Sequence, residues 1–262
     1  MGVIVNPRGT SGSGKTELVR RIAADYGWGR SGRVEPVYRR GRERPIAYRL
    51  RHPLGGRPLA VLGHHEATSG GCDTIRAADG GMDEAFRLAG GYAAGGHDVL
   101  LEGLLLSGEH VRSAALAREH GLHVLRLDTP LDRCIRNVIA RQRAGRRGRA
   151  SAARTATTQQ ADIEEACRRL RRHASVEVLD FDGALLRARE LLGLGQLAEG
   201  AGAARLEART TVPVGASASG TRVTGRRGCS EFGRHDGPEI GGESFPSPAA
   251  LNDETRWQEN TS

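Results

Sequence analysis

Lysine is nearly absent from this 262-residue chain. It occurs once, at position 15, and every other member of its 39 lysines and arginines is arginine. Cysteine is scarce as well. Cys72, Cys134, Cys167 and Cys229 stand far apart with no C-x-x-C pair, which argues against a zinc ribbon or a dithiol redox motif and leaves reduced thiols as the expectation. Long apolar runs are missing too: Val99–Leu106 is broken by Glu102, so no membrane span is expected. The N-terminus lacks the charged-then-apolar order of a signal peptide. Met1-Gly2 opens like a myristoylation signal, but Asn6 stands where that signal needs Ser or Thr. A cytoplasmic protein without a membrane partner is expected. Hydrophobic residues make up 38% of the chain, enough for one core and not for two. The formal net charge of +8 favours polyanionic partners such as nucleotides or nucleic acid. Arginine in place of lysine also follows from the base composition of a gene, so charge alone decides little. There is no internal repeat.

The single lysine sits in a glycine-rich turn. The stretch Gly9-Thr10-Ser11-Gly12-Ser13-Gly14-Lys15-Thr16 fits G-x-x-x-x-G-K-[ST], the phosphate-binding P-loop pattern. Val3-Ile4-Val5 before it reads as a buried strand. Thr16 to Tyr26 after it reads as a helix with Leu18, Val19, Ile22 and Ala23 on one face. Backbone N–H groups in such a loop, with the positive end of the helix dipole, wrap phosphate oxygens. Lysine adds a compact point charge that can follow a γ-phosphate, where the broad fork of arginine would not fit. The whole segment from Gly9 to Thr16 is therefore the expected nucleotide-binding loop.

After the first helix, "RVEPVYRR", "RPIAYRLRH" and "RPLAVLGHH" are short apolar runs that predict a small antiparallel β excursion. The pattern then alternates. "MDEAFRLAGGY" is helical, "HDVLLEG" a buried strand, "GEHVRSAALAREHG" a capped helix and "LHVLRLD" a strand. "PLDRCIRNVIARQRAG" predicts a helix followed by an arginine-rich loop, "ADIEEACRRLRRH" a helix, "SVEVLDF" a last strand, and Gly183 to Leu192 a closing helix. This order predicts an α/β fold with a parallel sheet and helices on both faces. From residue 199 to 262 the composition turns to Gly, Ala, Ser, Thr and Pro, with Phe232, Phe245 and Trp257 isolated, which predicts a low-complexity, disordered tail behind a domain of residues 1–198.

Reactive groups of open α/β sheets sit at the carboxyl ends of strands, where Glu102 falls and Asp98 does not. Glu102 is expected to orient a Mg²⁺ ion or the acceptor, with the Thr16 hydroxyl on the metal. In "HHEATSGGCDTIR" the Gly70-Gly71 pair marks a tight turn that aims Asp73 into a cleft as candidate general base, with a helix N-cap as its alternative role. Arg76 is a candidate phosphate contact. His64, His65 and Cys72 follow no metal-ligand spacing. Arg136, Arg141 and Arg143 on or just past a helix, with Arg146, Arg147 and Arg149 in a loop, read equally as a mobile lid that neutralises a transferring phosphoryl group or as a basic face for a phosphate backbone.

Taken together, "RGTSGSGKT", "GGCDTI", "VLLEGLLLS" and "LDTPLDRC" resemble the P-loop kinases of the nucleoside and nucleotide kinase type over Met1 to about Leu194. The likeness is strongest to small phage-encoded members, including the thymidylate-kinase-related 5-hydroxymethyluracil DNA kinases. The resemblance implies Mg·ATP on Gly12, Gly14, Lys15 and Thr16, an acid such as Asp73 or Glu102 near the acceptor, lid arginines such as Arg136 and Arg141, and a nucleotide or DNA acceptor in a host cytoplasm. The segment beyond Glu199 departs from a compact kinase, and the helix containing Asp162 has no counterpart, which leaves the adenine side unassigned. A P-loop ATPase coupled to nucleic acid, or a small-molecule kinase for an antibiotic or a sugar, fits the same residues.

Overall fold

The computed structural model describes residues 1–29, 34–66, 70–142 and 146–195. The expected boundary at 198/199 and the segment behind it lie outside the described residues, as do Arg143 and the side chains of Arg146, Arg147 and Arg149.

Val3-Ile4-Val5 opens a strand that runs on as β1 (Ile4–Arg8), every residue of it buried. It is the central strand. One sheet of seven strands carries the order β2 (Val34–Val37), β3 (Ala47–Leu50), β4 (Leu59–Leu62), β5 (Asp98–Leu100), β1, β6 (Leu122–Leu127), β7 (Ser175–Leu179). Strands β4, β5, β1, β6 and β7 are parallel, while β2 and β3 pair antiparallel at one edge. The expected β excursion is thus an extension of the main sheet, joined to it through β4. Ile4 packs on one face and Val5 on the other, as the two-residue period of a strand demands.

Helices cover both faces. On the Ile4 side lie α2 (Gly81–Ala94), the short α3 (Leu104–Gly108), α4 (Val111–His120) and α6 (Arg146–Leu170), contributing Phe86, Leu106, Leu116 and Ile163. On the Val5 side lie α1 (Lys15–Asp25) and α7 (Phe181–Leu191). The buried residues of α1 include Leu18, Val19, Ile22 and Ala23, the stripe its sequence spaces at helical intervals. Asp180 accepts from Gly183 N at 2.8 Å and caps α7. The loop expected after α5 (Leu131–Gln142) is a correction: from Arg146 onward the backbone is already helical, one 25-residue element with the helix around Asp162. The arginine-rich segment reads as a loop, but the alanines, arginines and glutamines that follow have high helix propensity and α6 packs along α5.

The chain leaves β1 toward β4 on one side, whereas β5 crosses over to β6 on the other. That reversal opens a crevice at the carboxyl end of β1, and the residues that follow β1, β5 and β6 meet there. Arg8 ties this end together. Its guanidinium is wholly buried and donates to Asn6 Oδ1 at 2.7 Å, Ser107 O at 3.2 Å, Glu109 O at 2.7 Å and Ser113 Oγ at 2.6 Å. Burial lowers its pKa from 12.5 to about 10, so it stays charged at neutral pH.

Candidate active site

The glycine loop is built by backbone turns and by neighbours that leave no room for side chains. Gly12 has φ +83°, and a Cβ there would stand 2.4 Å from the Cys134 carbonyl of α5. Gly14, at φ +105°, caps α1 with Phe181 against it. Three other segments hold the loop. Thr129, just past β6, donates to Ser13 O at 2.9 Å, Asn137 of α5 donates to Gly12 O at 2.8 Å, and Gln159 of α6 accepts from Ser11 N at 3.1 Å. Arg141 reaches Ser11 Oγ at 3.1 Å.

Lys15 is 6% exposed and donates from Nζ to Gly9 O at 2.7 Å and Thr10 O at 3.1 Å. An ammonium has three N–H donors, so one remains for a phosphate oxygen. Burial lowers its pKa, and Glu102 opposes that shift. Glu102, two residues past β5, is 3% exposed, and burial pushes its pKa up to about 7 against the pull of Lys15. Thr16 Oγ1 stands 3.5 Å from each of its carboxylate oxygens.

Asp73 lies in a single 3₁₀ turn, Cys72–Thr74, and its carboxylate accepts from Leu104 N at 2.5 Å and Leu105 N at 3.1 Å. It caps α3, not its own turn. The Gly70-Gly71 pair matters for close approach as well as for turning: Gly71 has φ +82°, and a Cβ there would meet Glu102 Oε2 at 2.5 Å. Lys15, Thr16, Arg20, Asp73, Glu102 and Arg141 line one cleft of about 370 Å³.

The cleft thus unites most of the side chains singled out in the sequence. Arg136 is not among its lining residues; it pairs with Asp132 one turn back at 2.5 Å. Arg76 pairs with Asp79 at 3.1 Å. Arg20, Asn137, Thr129 and Gln159 went unnoticed in the sequence. Asn137 was within reach of the argument, since it stands four residues before Arg141 and so on the same helix face. Arg20 had no such signal. His64 Nδ1 contacts Tyr48 Oη at 2.8 Å, and Cys72, Cys134 and Cys167 are buried free thiols. No helix among the described residues is long and apolar enough to cross a membrane.

A phosphate-binding loop at the switch point of a parallel sheet, with a buried carboxylate beside its threonine, defines a P-loop phosphotransferase site. No family model matches the chain. It is 43% identical over 140 residues to the 5-hmdU DNA kinase of Pseudomonas phage PaMx11, across 53% of this chain and 69% of that protein. The chain belongs to this kinase family and is an ATP-using phosphotransferase. Among solved structures, a gluconokinase from Sinorhizobium meliloti 1021 matches 76% of this chain and 94% of its own with a TM-score of 0.40 and 17% identity.

Proposed function

We propose that residues 1–198 form a kinase domain that moves the γ-phosphoryl group of ATP onto the hydroxymethyl oxygen of 5-hydroxymethyluracil in DNA. The observation that carries this reading is the intact loop around Lys15 facing Glu102 and Asp73 in one cleft, in a chain 43% identical to a 5-hmdU DNA kinase.

In this reading the loop N–H groups and Lys15 grip the β- and γ-phosphates, as the loop geometry favours. The acceptor oxygen attacks the γ-phosphorus, the bond to the β–γ bridging oxygen breaks, and ADP leaves. The proton of the acceptor hydroxyl passes to Asp73, whose two oxygens are held in place by the N–H groups of α3. Arg141, on α5 above the loop, neutralises charge on the equatorial oxygens.

Thr16 and Glu102 suit a hard divalent cation such as Mg²⁺: both offer oxygen, and the carboxylate is buried with its pKa raised. Among the described residues no three His, Cys, Asp or Glu side chains gather as a metal site, so phosphate oxygens and water would supply the other ligands. When bound, Mg²⁺ neutralises phosphate charge.

The test is transfer of label from γ-labelled ATP to four acceptors: 5-hydroxymethyluracil DNA, ordinary DNA with a free 5′-hydroxyl, free deoxynucleoside monophosphates, and small hydroxyl compounds. Label on the first alone agrees with the proposal. Label only on monophosphates, or release of all of it as inorganic phosphate, refutes it.

A further inference from the structure

A second pocket, of about 640 Å³, adjoins the phosphate cleft between α1 and β4. Its size suits a small organic ligand. Val19, Ala23 and Val61 give it apolar walls, and the half-buried Trp28 adds an aromatic face. Arg20 lines this pocket and the phosphate cleft alike. It stands five residues after Lys15 on α1, a rise of about 7.5 Å along the helix. The exposed Glu66 also lines the pocket and offsets the charge of Arg20, so with the Trp28 face the lining suits a flat ligand that is neutral where it sits.

His65 specifies that ligand further. It is 5% exposed, and its Nε2 stands 3.0 Å from the Leu62 carbonyl. A carbonyl only accepts, so Nε2 carries the hydrogen and Nδ1 is left as a bare acceptor. Nδ1 is buried and has no hydrogen-bond partner among the described residues, an arrangement that costs stability unless a ligand completes it. Burial lowers the imidazole pKa to about 4, so the ring remains neutral at physiological pH. Nδ1 lies close to the backbone of Gly70, which lines the cleft: a Cβ built there would stand 3.4 Å from it.

The complement of this pocket is a planar imide: an N–H to meet His65 Nδ1 and a neighbouring carbonyl to meet Arg20. We infer that the pocket receives the uracil ring of the acceptor nucleotide, turned out of the DNA stack, with N3–H on His65, O4 on Arg20 and its face on Trp28. Round the edge of such a ring N3–H, O4 and the 5-substituent follow in order. A ring anchored in this way therefore carries its hydroxymethyl group past Arg20 and into the phosphate cleft. Cytosine presents a lone pair at N3 and would oppose the lone pair of His65. This inference rests on the proposed function and adds to it a base-selecting site. Extrusion of the base is what chemistry on a duplex base requires.

The test uses the full chain with γ-labelled ATP and two oligonucleotides that differ only in carrying 5-hydroxymethyluracil or 5-hydroxymethylcytosine. Wild type should prefer the uracil form by about 100-fold or more in kcat/KM. Trp28→Ala should raise the KM for uracil-form DNA by about 10-fold while the KM for ATP stays within about 2-fold, and Trp28→Phe should restore most of the loss. His65→Phe should bring the preference below about 10-fold. In a Trp257→Phe background, Trp28 fluorescence should be quenched by the uracil-form oligonucleotide, a readout that does not depend on turnover. Unchanged DNA KM in folded Trp28→Ala, with transfer to 5-hydroxymethyluracil intact, overturns the pocket and leaves the proposed function standing. A raised KM for ATP instead would make this the adenine site and also overturn it. Wild type that transfers nothing to 5-hydroxymethyluracil DNA removes both readings together.

Discussion

The hydroxyl of Thr16 stands 3.5 Å from both carboxylate oxygens of Glu102, so the first turn of α1 and the chain leaving β5 meet at one pair of oxygen donors. The pairing has a measurable consequence. Burial raises the Glu102 pKa from 4.5 to about 7. A carboxyl whose folded pKa exceeds its unfolded value contributes stability that is fully present below the unfolded value and is lost as pH rises through the folded one. The stability of wild type relative to Glu102→Gln should therefore fall between about pH 5 and pH 8, by on the order of 2–3 kcal/mol. Urea melts at a series of pH values in nucleotide-free buffer read this directly. A flat difference over that window would contradict a buried, proton-holding Glu102.

Gly12 is the place where the loop and α5 come closest. At φ +83°, with Cys134 O only 2.4 Å from any Cβ, Gly12→Ala must strain the loop or push α5 away. A loss of about 1–3 kcal/mol in stability is expected, with a higher KM for ATP because Asn137 and Arg141 move with the helix. Unchanged ATP kinetics would show that the contact between α5 and the loop is not used.

Asp73 has two separable roles. Asp73 accepts from Leu104 N and Leu105 N with different oxygens, so Asp73→Asn keeps one of the two bonds and should hold only part of the cap's stability while lowering kcat by about 100-fold or more. Asp73→Ala removes the cap as well and should cost a further 0.5–2 kcal/mol or about that. If Asp73→Asn turns over like wild type, the residue is a cap alone.

Much of this site was legible because its signals are local. The G-x-x-x-x-G-K-T spacing, the apolar run before it and the four-residue apolar stripe of α1 fix the loop between a strand and a helix. Glu102 was legible as the acid at the end of an apolar run. What escaped reading depends on contacts distant in sequence. Arg136 and Arg141 differ by five residues on one helix, and only the packing of α5 on the loop shows that Arg141 faces it. The run of arginines obscured the start of α6, because charge density reads as a solvated loop where tertiary packing in fact secures a helix. The pocket beside Arg20 needs α1, β4 and Trp28 together.

Arg8 illustrates the same limit from the side of stability. In the sequence it is one arginine among many, yet it is wholly buried and its four hydrogen bonds join β1 to the α3–α4 connection. Arg8→Met leaves Asn6 Oδ1, Ser113 Oγ and two carbonyls with a lost donor. A loss of at least about 3 kcal/mol is expected, visible as a lower denaturant midpoint with little change in m-value. A midpoint near that of wild type would mean that water replaces the guanidinium without penalty.

The most direct test of the central claim identifies the phosphorylated atom. DNA containing 5-hydroxymethyluracil is incubated with ATP, Mg²⁺ and either wild type or Lys15→Arg, then cut to nucleotides by nuclease without phosphatase and weighed by mass spectrometry. Wild type should add one phosphoryl group to the 5-hydroxymethyl-2′-deoxyuridine nucleotide and to no other nucleotide. Folded Lys15→Arg should be slower by at least about 100-fold, because a planar fork cannot take the place of Nζ among Gly9 O, Thr10 O and the phosphate. Only unmodified 5-hydroxymethyl-2′-deoxyuridine nucleotide after incubation with wild type, or wild-type yield from Lys15→Arg, would contradict the kinase assignment.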